Sequence, residues 1–97
     1  MAATPEARVK KNIRKMLEAS RTYWFMPVQG GYGVAGTPDF LVCHKGKFIG
    51  IEAKANGGQA TALQLMNLQK IRDAGGTSLI VNEHNLDELK ELLDGND

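Results

Sequence analysis

The chain has 97 residues, of which 42% are hydrophobic and 24% charged, and its net charge is +1. This length allows one small globular domain over residues 1–97 and excludes a protein of several domains. The single cysteine excludes an internal disulfide bond and a cysteine-based metal site. There is no signal peptide and no apolar run near 18 residues, so we expect a soluble, intracellular (cytoplasmic) protein with no membrane contact.

Charge is distributed unevenly along the chain. Residues 1–54 carry nine Lys or Arg against four Asp or Glu, whereas residues 55–97 carry three against seven. The first half is therefore +5 and the second −4. This asymmetry is typical of a protein with a basic face for a polyanion such as DNA, although small domains also acquire it without such a partner.

The first predicted element is an amphipathic helix over residues 4–20. Thr4 is a good N-cap, and Val9 and Ile13 begin an apolar face that repeats with helical spacing. Four basic residues lie elsewhere on the same helix, either as contacts to the phosphates of a nucleic acid or as a solvated face: Lys10, Lys11, Arg14 and Lys15.

The remaining elements alternate strands and helices. In chain order they are a strand within 23–28, a glycine-rich loop over 29–38, a hairpin of strands 39–44 and 47–54, a helix within 61–76, a strand over 77–82 and a helix within 85–95. A strand–helix–strand unit favours a parallel crossover, so the order α-β-β-β-α-β-α predicts a mixed α/β layer structure.

Burial can be predicted at a few positions. Leu65, Leu68 and Ile71 share one face of the helix within 61–76, which predicts that all three are buried. Cys43 lies in an apolar run and is expected in the core. His44 is expected at a surface or turn position, with no catalytic role.

The predicted hairpin carries an unusual set of charges. Its turn at Lys45–Gly46 places Asp39 and Glu52 about equally far from the turn on opposite strands, and Lys54 shares a strand face with Glu52. Neighbouring carboxylates repel, and a divalent cation such as Mg²⁺ relieves that repulsion. These residues therefore indicate metal-assisted hydrolysis of a phosphodiester, with Lys54 holding a phosphate or orienting and deprotonating water; a plain surface salt bridge is the alternative.

The motifs "GTPDF" and "GIEAK" resemble the Asp…Glu-x-Lys signature of the PD-(D/E)xK nuclease superfamily. The glycine-rich loop before them and the glutamine of the following helix make residues 5–82 similar to the VRR-Nuc branch, as in its small viral-type members. The resemblance implies a restriction-endonuclease-like mixed sheet flanked by helices.

The resemblance also implies roles for individual residues. Asp39, Glu52 and the backbone carbonyl of Ala53 would bind Mg²⁺ or Mn²⁺, and Lys54 would contact the scissile phosphate or the attacking water. Glu6 matches an acid that reaches the metal directly or through water, or else it only pairs with the helix dipole. Gln64 would orient Lys54 or the phosphate, and it also fits a capping box with Thr61.

The glycine-rich loop supplies two further candidates. Gly31 would let a phosphate backbone approach closely, and Tyr32 would stack on a base or bind a phosphate. A structural role for either residue is the alternative.

Together these expectations describe a homodimeric, metal-dependent, structure-selective DNA endonuclease that resembles a Holliday-junction resolvase. A domain this small has little surface for reading base sequence, so selectivity would come from the shape of branched or junction DNA and from dimer geometry. The alternatives are a nuclease of flap, nicked or plain duplex DNA, a catalytically idle nucleic-acid-binding module, and a protein-interaction domain that uses its acidic last helix.

Overall fold

Seven elements follow one another in the order expected from the sequence. The computed structural model describes residues 4–28 and 35–95. The elements are α1 (Pro5–Ala19), β1 (Tyr23–Phe25), β2 (Phe40–His44), β3 (Lys47–Ala53), α2 (Ala62–Asp73), β4 (Thr77–Val81) and α3 (Leu86–Asp94). Within the described residues, no helix is long and apolar enough to cross a membrane.

The strands form one mixed sheet in the order β1-β2-β3-β4. β1 pairs with β2 and β2 with β3 in antiparallel fashion, whereas β3 and β4 are parallel. Parallel neighbours need a crossover connection, which α2 provides. The predicted mixed α/β sheet flanked by helices is therefore confirmed.

The β2–β3 turn fixes the register of the hairpin. Lys45 and Gly46 both have positive φ angles, 52° and 80°, as a two-residue turn matched to the twist of the strands requires. His44 then pairs with Lys47, and Phe40 pairs with Ile51. A shift by one residue would move every side chain of a strand to the other face, so this turn determines which side chains meet at the far end.

One face of the sheet packs against α1 and α3. Val9, Ile13 and Leu17 form the buried stripe of α1, as the helical spacing predicts, and α3 contributes Leu89 and Leu93. The sheet side of this core is lined by Phe40, Val42, Ile49, Ile51, Ala53 and Val81. Because the stripe on α1 is narrow, the neighbouring helix positions lie at the rim of the sheet, and Lys10 is one of them.

The other face of the sheet is covered only partly by α2. Leu68 is buried and Ile71 is half-buried, but Leu65 is 50% exposed, so its predicted burial is wrong. α2 packs on β3 and β4 along a stripe centred on Leu68. The first turns of α2 therefore also leave Leu63 and Met66 exposed.

Two predictions on β2 are wrong because the helices cover its two faces differently. Cys43 is exposed, since it points to the side of the sheet away from α1 and α3. His44 points to the covered side, is 8% exposed, and places Nε2 2.8 Å from the Leu93 carbonyl oxygen. His44 thus ties the hairpin to α3 and takes no part in the candidate site.

The segment before Asp39 lies directly against α2. Gly36 has a φ angle of +82°, and a Cβ atom there would lie 2.8 Å from the Leu63 carbonyl oxygen. The Asn67 side-chain amide donates to the Ala35 carbonyl oxygen at 3.2 Å. This contact positions the chain that leads into Asp39.

Replacing Gly36 by alanine should destabilise the protein by about 2–3 kcal/mol, because positive-φ strain adds to a clash with helix backbone. Gly57→Ala is the matched control, since Gly57 also has a positive φ angle, 73°, but has open space around it. Urea denaturation measures both variants. Equal losses of stability would contradict the close approach of the loop to α2.

Candidate metal and catalytic site

The hairpin register brings the two predicted carboxylates together. Phe40 pairs with Ile51, so Asp39 and Glu52 stand opposite each other one position further from the turn. Both are buried, with relative exposures of 8% and 3%. Buried carboxylates in such proximity oppose each other's ionisation, so this end of the hairpin favours a bound cation.

The backbone of β3 holds the Asp39 carboxylate. The Ala53 N–H donates to Asp39 Oδ2 at 2.8 Å. Asp39 Oδ1 lies 3.6 Å from Lys10 Nζ. Ala53 therefore serves this site through its N–H, and the metal-binding role expected of its carbonyl stays a prediction.

The Glu52 carboxylate is the group of the site whose charge is least well stabilised by its surroundings. Its Oε2 lies 3.7 Å from Lys54 Nζ, whereas its Oε1 is buried without a hydrogen-bond partner in the described part of the chain. Burial raises the pKa of the Glu52 carboxyl from 4.5 to about 7; the Asp39 carboxylate adds to the rise, and Lys54 opposes it. A buried oxygen left unpaired is costly in an ordinary core and typical of a ligand site.

Lys54 is positioned by the pairing of β3 with β4. Its backbone N–H donates to the Val81 carbonyl oxygen at 3.0 Å, so the first residue beyond β3 is still held by the sheet. Its side chain is 16% exposed and contacts Glu52. An ammonium group in this position can meet a solvent-borne phosphate while it remains beside the carboxylates.

α1 brings a second lysine to the same carboxylates. Lys10 Nζ lies 3.3 Å from Glu6 Oε2 and 3.6 Å from Asp39 Oδ1. The sequence left open whether Lys10 contacts DNA phosphates or lies on a solvated face, whereas the structure places it beside Asp39. No sequence signal could have shown this, because the position of Lys10 depends on how α1 packs on the sheet.

Gln64 forms the predicted capping box at the start of α2. Its side-chain oxygen accepts from the Thr61 N–H at 2.9 Å, and its own N–H donates to Thr61 Oγ1 at 3.1 Å. The oxygen is therefore engaged in the cap. A role in orienting Lys54 or a phosphate would need the amide nitrogen and stays a prediction.

The other predicted DNA-binding residues lie apart from the carboxylates or outside the described residues. Lys11 and Lys15 are exposed on α1, and Arg14 contacts Met26 through Nη1 and Sδ at 3.9 Å. Gly31 and Tyr32 fall outside the described residues. Their proposed contacts to DNA stay predictions.

The donors at the end of the hairpin fit a hard divalent cation. Mg²⁺ is usually bound by one or two carboxylates, with water filling other positions, and Asp39 together with the unpaired Glu52 Oε1 meets this need. Within residues 4–28 and 35–95, no three or more His, Cys, Asp or Glu side chains cluster to hold a metal ion. The side-chain donor set is thus the carboxylate pair of Asp39 and Glu52. Glu6 contacts Lys10, and its expected role at the metal stays a prediction.

The raised pKa of Glu52 predicts a pH-dependent stability for the metal-free protein. The unfolded chain releases this proton near pH 4.5, whereas the folded protein holds it to about pH 7. The contribution of Glu52 to the free energy of unfolding should therefore be fully present below pH 4.5 and be lost between these values, by about 3 kcal/mol at about 1.4 kcal/mol per pKa unit.

Urea denaturation in EDTA between pH 4.5 and 8 measures this effect. Glu52→Gln should flatten the dependence, and Glu91→Gln, on the exposed surface of α3, should retain the wild-type curve. Parallel curves for wild type and Glu52→Gln would show that Glu52 ionises normally in the folded protein.

No protein-family model matches the chain, and no curated protein matches its sequence. Among solved structures, the chain is similar to one titled "VRR_NUC domain", with a TM-score of 0.77 and 24% identity. The match covers 98% of this chain and 100% of the other. The chain therefore has the fold of a VRR_NUC domain, a restriction-endonuclease-like mixed sheet flanked by helices.

Proposed function

We propose that this protein is a metal-dependent, structure-selective DNA endonuclease that hydrolyses phosphodiester bonds and acts as a homodimer on branched DNA, in the manner of a Holliday-junction resolvase. The observation that carries the proposal is the carboxylate pair Asp39 and Glu52 beside Lys54, with one buried Glu52 oxygen that no described residue pairs. The fold shared with a VRR_NUC domain agrees with it.

The chemistry of the proposal follows from the donor set. Asp39 and Glu52 would hold Mg²⁺ or Mn²⁺, which supplies a Lewis acid for a phosphoryl oxygen and lowers the pKa of bound water. The Ala53 N–H keeps Asp39 in place, so the carboxylate does not have to reorganise when a ligand arrives. Lys54 stabilises the negative charge that develops on the phosphoryl oxygens.

Positive charge near the carboxylates supports DNA as the substrate. α1 carries Lys10 at the site and exposes Lys11 and Lys15 further along. Lysine contacts to phosphates position a nucleic acid without reading its sequence. DNA binding of this kind should weaken steeply as salt is raised.

An exposed apolar surface supports the homodimer. Tyr23, Cys43 and Phe48 stand in one row across β1, β2 and β3, with Phe25 beside them, on the sheet face that α2 covers only at β3 and β4. Tyr23 is 80% exposed, Phe25 53% and Phe48 47%. A second copy on this surface would bury these rings and hold two active sites at a fixed separation, as paired cuts in a four-way junction require.

The first test compares cleavage of labelled four-way junction, flap, nicked and linear duplex DNA with Mg²⁺, Mn²⁺ or EDTA. Paired symmetric cuts in the junction, lost in EDTA and in Glu52→Ala, are expected. Lys54→Ala should lower the rate by about 10²–10³-fold, because it removes one charge-stabilising group from the transition state.

Lys90→Ala is the matched control for Lys54, because Lys90 also pairs with an acid but lies exposed on α3; its rate should stay within a few-fold of wild type. Equal cleavage of all substrates would remove junction selectivity and keep the nuclease. No cleavage by the folded wild-type protein with either metal would leave a nucleic-acid-binding module of the same fold.

The dimer surface is tested by charge substitution. Phe25→Lys should convert a dimer into a monomer in sedimentation velocity, since a buried lysine without a partner opposes association. Leu65→Lys is the control, because Leu65 is 50% exposed on the separate apolar surface of α2. A dimer that survives Phe25→Lys but is lost in Leu65→Lys would assign the interface to α2, and a monomeric wild type would exclude the homodimer.

A further inference from the structure

Lys10 lies between two carboxylates that belong to different elements. Its Nζ is 3.3 Å from Glu6 Oε2 on α1 and 3.6 Å from Asp39 Oδ1 at the hairpin. Both distances exceed the usual length of a charge-assisted hydrogen bond. The lysine side chain is 27% exposed, so it is held by charge attraction and can rotate toward solvent.

Lys10 Nζ lies beside Asp39, one of the two carboxylates that would hold a metal ion. Asp39 Oδ2 accepts from the Ala53 N–H, and Oδ1 is the oxygen beside Lys10, so a cation bound through Oδ1 would lie near the ammonium group. An ammonium group and a divalent cation close to the same oxygen repel each other. Binding of one therefore disfavours the other at Asp39.

The charge balance of the site changes sign when a divalent cation enters. Glu6, Asp39 and Glu52, when ionised, together with Lys10 and Lys54, give a net charge of −1. A divalent cation raises this to +1, which a phosphodiester of charge −1 neutralises. Without Lys10, the same site with metal would be neutral before the phosphate arrives.

We propose that Lys10 is a phosphate-binding residue that the divalent cation releases. In the metal-free protein, Asp39 and Glu6 hold the ammonium group. The cation at Asp39 and Glu52 repels it from Asp39, and Lys10 then binds a phosphate of the DNA next to the cut. Cation binding and DNA binding thereby reinforce each other, and by linkage the reinforcement is equal in both directions. This inference rests on the proposed nuclease function.

Glu6 acts in this scheme as a positioning residue for Lys10. The two residues are an i,i+4 pair with the acid on the N-terminal side, the favourable orientation on a helix. The Glu6 side chain is 46% exposed, so its attraction for Lys10 is partly screened by solvent. It keeps the ammonium group at the rim of the site and does not compete strongly with a phosphate.

The proposal is tested by measuring how tightly the protein binds a fluorescein-labelled four-way junction, once with Ca²⁺ and once with EDTA. Calorimetry measures Ca²⁺ binding to the protein alone. Ca²⁺ should tighten wild-type DNA binding by about tenfold or more. Lys10→Gln should reduce this enhancement at least threefold while binding Ca²⁺ as tightly as wild type or more tightly. With Ca²⁺ present, the slope of log K for DNA binding against log salt concentration should be less steep for Lys10→Gln than for wild type. The expected difference is about 0.9, the value for one lost phosphate contact.

Lys11→Gln is the matched control, because Lys11 is exposed on the same helix and has no contact to Asp39 among the described residues. It should weaken DNA binding by the same factor with Ca²⁺ and with EDTA. Lys10→Arg, which keeps the positive charge, should retain most of the enhancement. Melting temperatures of all variants verify that they fold.

Three results would overturn the proposal. An unchanged enhancement in Lys10→Gln would make Lys10 an ordinary surface charge. Weaker Ca²⁺ binding by that variant would show that Lys10 orients Asp39 for the metal. If the wild type binds no DNA, the nuclease proposal and this one fail together. A wild type that cleaves DNA with Mg²⁺ or Mn²⁺, alongside an unaltered Lys10→Gln, rejects this one alone.

Discussion

The candidate site depends on one hydrogen bond, from the Ala53 N–H to Asp39 Oδ2. The bond joins the residue before β2 to the last residue of β3, at the end of the hairpin opposite its turn. It fixes the Asp39 carboxylate against Glu52, although the two groups repel when ionised. The backbone donor offsets part of that repulsion without neutralising either charge. The site therefore keeps a concentrated negative charge that a cation can use.

This arrangement lowers the stability of the metal-free fold. Glu52 is 3% exposed, one of its oxygens has no hydrogen-bond partner among residues 4–28 and 35–95, and burial raises its pKa to about 7. A core built only for stability would place an apolar residue at this position. A cation that binds only the folded protein recovers the loss, because binding stabilises the folded state by mass action. The violation of ordinary packing rules thus coincides with the residues that the proposed chemistry needs.

The sequence predicts the hairpin and its acids well because their placement is local. The positive-φ turn at Lys45–Gly46 and the two-residue period of strands suffice to set Asp39 opposite Glu52. Predictions failed where the outcome depends on which element covers a face. Cys43 lies on a part of the sheet that the described helices leave open, and Leu65 lies on a face of α2 that does not pack on the sheet. His44 is buried because α3 reaches it. The proximity of Lys10 to Asp39 is of the same kind, since it follows from how α1 packs on the sheet.

The two lysines of the site reach it through separate long-range constraints. Lys54 is held by the pairing of β3 with β4, and Lys10 by the packing of the apolar stripe of α1 on the sheet. The Asp…Glu-x-Lys motif contains only the first of these lysines, so the motif alone omits the Lys10–Glu6 ion pair that the fold places beside Asp39. The charge that a metal ion and a phosphate encounter is consequently a property of the tertiary fold. Changes in how α1 packs would alter the proposed metal and DNA binding while every residue of the motif is retained.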